Sequence, residues 1–334
     1  MRVASRVVLL AAAAALVALP ARAEVSEVKI AQQYGVAYLP LMYLEQEKLL
    51  EKHAKAAGLP DLKVSWTKFA AGNIMNDALL SESLHFASGG VTPLITLWAK
   101  TRGNLDVKGV VAMNSMPLYL NTRNPNVKSI KDFTDQDKIA LPAVKVSFQA
   151  VHLQMAAAKA FGADQYGKLD KLTVAMSHPD GMTALTSGGG EITAHFTAPP
   201  FQYQELEKPG IHKLLNSYEV VGGPHTFTLV WTTNKFREQN PKVYGAFVKA
   251  FNEAVDTINR DKAKAAENYI KWASYKGDKA LLMKIFDDPD VQFTTTPGNT
   301  TKYSDFMHQV GSIKVKPASW KELFFPEVHH LKGS

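Results

Sequence analysis

Cysteine is absent from all 334 residues. That excludes disulfides, thiolate metal ligands and cysteine nucleophiles, so burial of a core must hold the fold. After the first two dozen residues no stretch reaches 18 apolar residues, and no later segment is expected to span a bilayer. Catalytic signatures are missing as well. There is no H-E-x-x-H, no G-x-S-x-G and no Walker sequence. Gly188-Gly189-Gly190 lacks the following Lys-Ser/Thr of a phosphate loop and reads as a turn. The 10 histidines show no metal-ligand spacing, and the adjacent His329 and His330 read as solvated tail residues. No cofactor or metal site is expected.

What is present is a soluble globular chain. Apolar residues make up 46% and charged residues 21%. The length lies near the upper edge of what one core supports, so two domains are expected. Residues 1–23 stand apart: Arg2 and Arg6 give a positive start, Val8 to Leu19 is almost wholly apolar, and Ala21-Arg22-Ala23 has the A-x-A form of a cleavage site. Together these read as a secretory signal peptide cut after Ala23. The mature chain would begin at Glu24 outside the cytoplasm, and the lack of cysteine suits a bacterial periplasm. Removing the leader lowers the formal charge from +7 to +4. The basicity is mild and its lysines are scattered, so nucleic acid is not an expected partner.

The chain is organised around 28–50, VKIAQQYGVAYLPLMYLEQEKLL. Val28 and Ile30 enter a polar Gln-Tyr-Gly loop, and a helix is predicted from near Pro40 with Leu41, Leu44 and Leu49 on one face. Open α/β folds commonly bind ligands at such strand-to-helix loops. Further strands are predicted at 62–66, 84–87 and 109–113, separated by helices. This βαβαβ pattern implies parallel strands. An extended segment at 117–121 leaves this unit. Strands at 138–141, 172–176 and 191–196 then alternate with helices, the first of them at 150–161 and closed by Gly162. The order strand, Gly-bearing loop, short helix, strand, Thr and Pro occurs at 66–93 and again at 176–200, which suggests two lobes of like architecture. The strand-like run 226–232 returns to the first. Asn240 is read as the cap of a helix carrying Val243, Phe247, Phe251 and Val255 on its core face. Two or three more helices, covering 262–273, 278–286 and 301–310, precede a tail with Trp320, Phe324 and Phe325 expected to pack on the first lobe.

Small and polar residues recur at the predicted C-terminal strand ends: Gln33-Tyr34-Gly35, Gly72-Asn73, Gly90 with Thr92, Ser115, Ser147-Phe148 and Phe196-Thr197. Backbone N–H groups, hydroxyls and a few rings converging on a cleft would hold a small polar solute. No Asp/Glu pair lies beside these loops as an acid and base would require, so the reading is binding and not catalysis. His195, at a strand end, is read as a ligand contact or an internally bonded histidine. Lys145 is read as a surface lysine.

These residues resemble a known family. The exported start followed by VKIAQQYGVAYLPLMYLEQEKLLEKH is similar to the periplasmic solute-binding proteins of nitrate/sulfonate/taurine-type ABC importers. The same family includes relatives of thiamine-pyrimidine synthesis proteins. FAAGNIMNDALLSESLHFASGGVTP, VSFQAVHLQMAA and VAMSHPDGMTALTSGGGEITAHFTAPPF extend the resemblance over essentially the whole mature chain. It implies an α/β type II periplasmic binding fold, in which two Rossmann-like lobes joined by two crossover strands close over a solute and present it to an inner-membrane permease. The lobes would be 24–115 with 223–334, and 116–222, in a monomer. One wall of the cleft would carry Gln33 to Tyr38, Gly72, Asn73 and Gly90 to Thr92. The other would carry Ser115, Ser147, Phe148 and His195 to Thr197, with His225 near the second crossover. The first loop is bulkier than the small hydroxyl residues common in nitrate and sulfonate binders. It points to an organic acid, an aromatic carboxylate or sulfonate, or a nitrogen heterocycle, although no arginine sits in these loops to clamp a carboxylate. An exported enzyme of the pyrimidine-synthesis type and a non-transport sensor are the alternatives.

Overall fold

Val28, Ile30 and Ala31 are fully buried, which sets the first strand of a computed structural model describing residues 23–334. The segment read as a signal peptide, 1–23, lies outside the described residues, all but Ala23. Strand β1 (Glu27–Gln32) leads through a short 3-10 turn into α1 (Leu39–Gln46), with Pro40 in its first turn. The single helix expected over this stretch is in fact two. Lys48 adopts the left-handed conformation, and α2 (Leu49–Ala56) starts anew, so Leu49 belongs to a second helix. Next come β2 (Lys63–Lys68), α3 (Gly72–Leu80), β3 (Ala87–Gly90), α4 (Val91–Thr101) and β4 (Lys108–Ala112). The third strand lies later than the hydrophobic run predicted. Leu84 and Phe86 enter the core, but it is Ala87 to Gly90 that pair with a later strand.

The chain then leaves this sheet through β5 (Asn114–Ser115) and enters a second one at β6 (Tyr119–Thr122). It continues through β7 (Ile139–Leu141), α5 (Phe148–Phe161), β8 (Thr173–Ala175), α6 (His178–Thr186), β9 (Ala194–Thr197), α7 (Phe201–Leu206), β10 (His212–Asn216) and α8 (Ser217–Val221). Strand β10 and helix α8 were not read from the sequence. Strand β11 (Thr228–Thr232) returns to the first sheet. Helices α9 (Asn234–Gln239), α10 (Pro241–Arg260), α11 (Lys262–Trp272) and α12 (Lys279–Asp287), strand β12 (Gln292–Phe293) and helix α13 (Thr300–Gln309) complete the elements. Among the described residues no helix is long and apolar enough to cross a membrane.

The two sheets share one topology. In the first, the parallel pair β2-β1 joins β3-β11-β4 through a parallel bridge from Ile30 to Phe86, and β11 runs antiparallel to both of its neighbours. The second has the order β8-β7-β9-β6-β10, with β7 parallel to β8 and β9 and with β6 antiparallel to β9 and β10. In each sheet the antiparallel interior strand is the one that enters from the other half of the chain. Strand β4 therefore has the direction the βαβαβ pattern implies, but β11 separates it from β3.

Helix α10 buries Val243, Phe247, Phe251 and Val255 against the first sheet's core, as its spacing dictates. Asn240 precedes this helix without capping it. Its side chain turns away, accepting from the Val25 N–H and donating to Phe236 O. The C-terminal segment packs where the aromatic tail predicts: the Phe325 N–H donates to Gly109 O, and the Trp98 indole donates to Glu322 O. His330 is exposed, while His329 is half-buried and bonded to the carbonyls of Lys321 and Phe324.

Candidate functional site

Residues at or just past the C-terminal ends of β1, β3, β7 and β8 line an inner cavity of about 20 Å³. A water molecule needs roughly 10–15 Å³ in this measure, so the space holds about one. Gln33, Tyr38, Gly72 and Gly90 line it from the first sheet, with Ser147, Phe148, Gln149 and His178 from the second. Helices α3, α5 and α6 begin at Gly72, Phe148 and His178, and Gly90 immediately precedes α4. The first N–H groups of a helix lack intrahelical partners and its dipole is positive there, so these four ends favour an anionic or strongly polar guest. Ser147 caps α5, its hydroxyl accepting from the Ala150 N–H at 3.2 Å.

Histidine 178 is neutral. Burial holds its pKa well below the usual value, and the neighbouring His195 adds to this. The Gln149 amide nitrogen lies 3.3 Å from Nε2 and can only donate, so Nε2 accepts. The proton is therefore on Nδ1, which donates to the Thr197 hydroxyl at 3.0 Å.

The sequence-predicted residues fall into four groups. Gln33, Tyr38, Gly72, Gly90, Ser147 and Phe148 come together around the inner cavity. Tyr34 and Gly35 line an adjoining outer chamber of about 260 Å³, which Gln33 also borders. Asn73 lines a separate surface groove with Leu80 and Val146. The remainder lie behind or beside the walls. Thr92 is buried, and its hydroxyl donates to Val146 O across the cleft at 3.3 Å. Ser115 pairs with the Tyr218 hydroxyl at the crossover. Along β9 side chains alternate: Phe196 is fully buried near His152, while Thr197 reaches the cavity only through His178. His195 is fully buried with Glu205, Nδ1 to Oε1 at 2.6 Å, and Glu205 also accepts from Asn121. Its Nε2 packs against Gly181 with no hydrogen-bond partner. His225 donates from Nδ1 to Thr226 O and accepts at Nε2 from the Ser217 hydroxyl. Lys145 is exposed.

Gln149, His178 and Phe201 were not selected from the sequence. The matched order of 66–93 and 176–200 carried the signal for His178, because it begins α6 as Gly72 begins α3. Phe201 stacks on His178 with centroids 5.8 Å apart and forms part of the outer chamber.

The walls meet at two further points. The Val36 N–H donates to Pro199 O at 3.1 Å. Gly35 permits this approach: it has a φ of +108°, and a Cβ there would lie 2.8 Å from the same oxygen. Behind Phe148, its carbonyl accepts from His152 Nδ1, and His152 Nε2 accepts from the Tyr303 hydroxyl at 3.1 Å. Helix α13 thus braces the start of α5. Among the described residues no cluster of three or more His, Asp or Glu could hold a metal ion.

Comparison with solved structures places this geometry. The alkanesulfonate-binding protein SsuA from Xanthomonas axonopodis pv. citri, bound to MOPS, is 16% identical, with a TM-score of 0.67 over 90% of this chain and 97% of that one. The periplasmic aliphatic sulphonate binding protein SsuA from Escherichia coli is 18% identical, with a TM-score of 0.62 over 90% and 92%. The periplasmic nitrate-binding protein NrtA from Synechocystis PCC 6803 is 14% identical, with a TM-score of 0.69 over 90% and 84%. The fold is therefore the α/β periplasmic binding protein fold that the sequence resemblance implies. No curated protein matches the sequence significantly. A family model, described as the NMT1-like family, matches residues 21–274, and the chain belongs to that family.

Proposed function

We propose that this chain is the solute-binding component of an ABC importer. It captures a small polar or anionic organic solute between its two sheets and delivers it to a membrane permease. One observation carries the reading: the ends of both sheets and four helix N-termini face one cavity that holds hydrogen-bonding groups but no acid–base pair. The structural neighbours named above, which bind sulfonates or nitrate by their descriptions, support it. In this reading 24–115 with 223–334 and 116–222 are two lobes that close on the solute. The protein works as a monomer in the periplasm after loss of residues 1–23.

Native mass spectrometry of the mature chain, purified from periplasm without dialysis, tests the proposal. A discrete small-molecule adduct is expected, and small-angle scattering should show compaction when that molecule is added back. An adduct that is chemically turned over on standing would replace binding with catalysis.

A further inference from the structure

The outer chamber, not the inner cavity, has room for the body of an organic solute. Its volume is about 260 Å³ against about 20 Å³ inside. An apolar cavity of about 150 Å³ takes up benzene, so one substituted ring fits the chamber and no ring fits the inner cavity. The chamber wall suits a ring. Tyr34, Phe201 and Tyr275 present aromatic surfaces, and Met42 and Met182 add polarizable thioethers.

The charge of the chamber has one sign. Lys68, the last residue of β2, and Lys276, after α11, are its charged lining residues, and none of the described lining residues is acidic. Lys68 Nζ stands 6.0 Å from the centre of the Tyr34 ring, at the outer limit of a cation–π contact. At the inner end the walls offer only neutral groups: the amides of Gln33 and Gln149, the Ser147 hydroxyl and the uncharged His178. Gln33 borders both spaces. The helix ends there supply only partial positive charge, and the space holds about one water, so a carboxylate or sulfonate group does not fit, whereas a hydroxyl or a similar small neutral group finds hydrogen-bond partners.

We infer that the solute is an aromatic monoanion, an aryl carboxylate or aryl sulfonate. Its ring lies in the outer chamber, its anionic group lies beside Lys68 and Lys276, and any neutral polar substituent is directed past Gln33. This rests on the solute-binding reading above and names the substrate class for it.

Isothermal titration of the dialysed mature chain tests it with 4-hydroxybenzoate, benzenesulfonate, taurine, nitrate and the neutral 4-hydroxybenzyl alcohol. At least one aryl anion is expected to bind ten-fold or more tightly than taurine, nitrate and the alcohol. Lys68→Met combined with Lys276→Met should weaken the aryl anion ten-fold or more. Both lysines are exposed, so the thermal midpoint should hold, and the alcohol should bind as before. Tighter binding of taurine or nitrate, or a non-aromatic adduct in the native mass spectrum, would overturn the aromatic assignment while leaving solute binding intact. An aryl anion that binds the double variant as well as the parent overturns the placement beside the lysines. No binding of any probe together with no adduct overturns both readings.

Discussion

Gly90 and Phe148 meet across the cleft so closely that position 90 has no room for a side chain. A Cβ on Gly90 would overlap the Phe148 Cβ and lie 2.9 Å from its Cγ. Phe148 cannot retreat easily, because its carbonyl is held by His152 and its ring packs on Tyr303 with centroids 4.9 Å apart. The sheets can approach this far only because residue 90 is glycine. Gly90→Ala should hold them apart and weaken solute binding by at least ten-fold. The φ at Gly90 is −65°, which any residue adopts, so the folded state should survive. Titration of the solute found by mass spectrometry, beside a thermal melt, checks both halves. Unchanged affinity would remove this contact from the proposed closure.

Position 90 also shows how much was legible in the sequence. Gly- or Pro-bearing loops after hydrophobic runs marked the ends of β1, β3, β7 and β9, since a chain leaving a buried strand for a helix must turn there. The like order of strands and helices around the two sheets was legible for the same reason. Side-chain direction was not. His195 reads as a ligand contact or an internally bonded histidine because it ends a predicted strand; it shares the β9 face of Thr197, and the buried Glu205 ten residues later supplies the internal bond. His178 reads as an ordinary loop residue until β9 and α5 supply Thr197 and Gln149 to orient it. Strand β3 was placed early because Ser88-Gly89-Gly90 has no strand propensity, and only pairing with the distant β11 makes it one.

Phe148 separates stability from recognition. It is 2% exposed and touches His152, His225, Phe227 and Tyr303. Phe148→Ala should cost about 3–5 kcal/mol of stability through the void it leaves, so weakened binding in that variant would have two causes. Phe148→Leu keeps most of the volume and should cost less than about 1.5 kcal/mol. Its solute affinity should still fall, because a ring on the cavity wall is lost. Urea unfolding beside titration of the leucine variant measures the two effects separately. An unaltered affinity would move the solute off this wall.

The buried pair of His195 and Glu205 makes a sharper stability prediction. Both side chains are fully buried, and Glu205 also holds the Asn121 amide of β6. Glu205→Ala leaves a buried imidazole and a buried amide without their partner, and should cost about 3–5 kcal/mol. Glu205→Gln keeps the shape and an oxygen acceptor, so it should recover part of that loss. Denaturant midpoints of the two variants decide the matter. Equal losses would show that charge, and not hydrogen bonding, holds α7 to β9.

Acid should weaken the fold before its carboxylates titrate. Burial pushes His152 down to about 4, and it holds His178 and His225 well below the usual value, with a neighbouring histidine adding to the shift in each of those two. In the unfolded chain all three take up a proton near pH 6.5. Above that pH neither state is protonated and the full stability is present. As pH falls from about 6.5 toward 4 the unfolded state binds protons that the folded state refuses, so stability falls by about 1.4 kcal/mol per pH unit for each such group. Urea unfolding at pH 7.5, 6.5 and 5.5 should show little change over the first interval and a clear drop over the second. In His152→Phe the absolute stability should also fall, since the Tyr303 hydroxyl loses its acceptor. The drop below pH 6.5 should nevertheless be shallower by one group's share, and an unaltered slope would mean that His152 takes up its proton without leaving the fold.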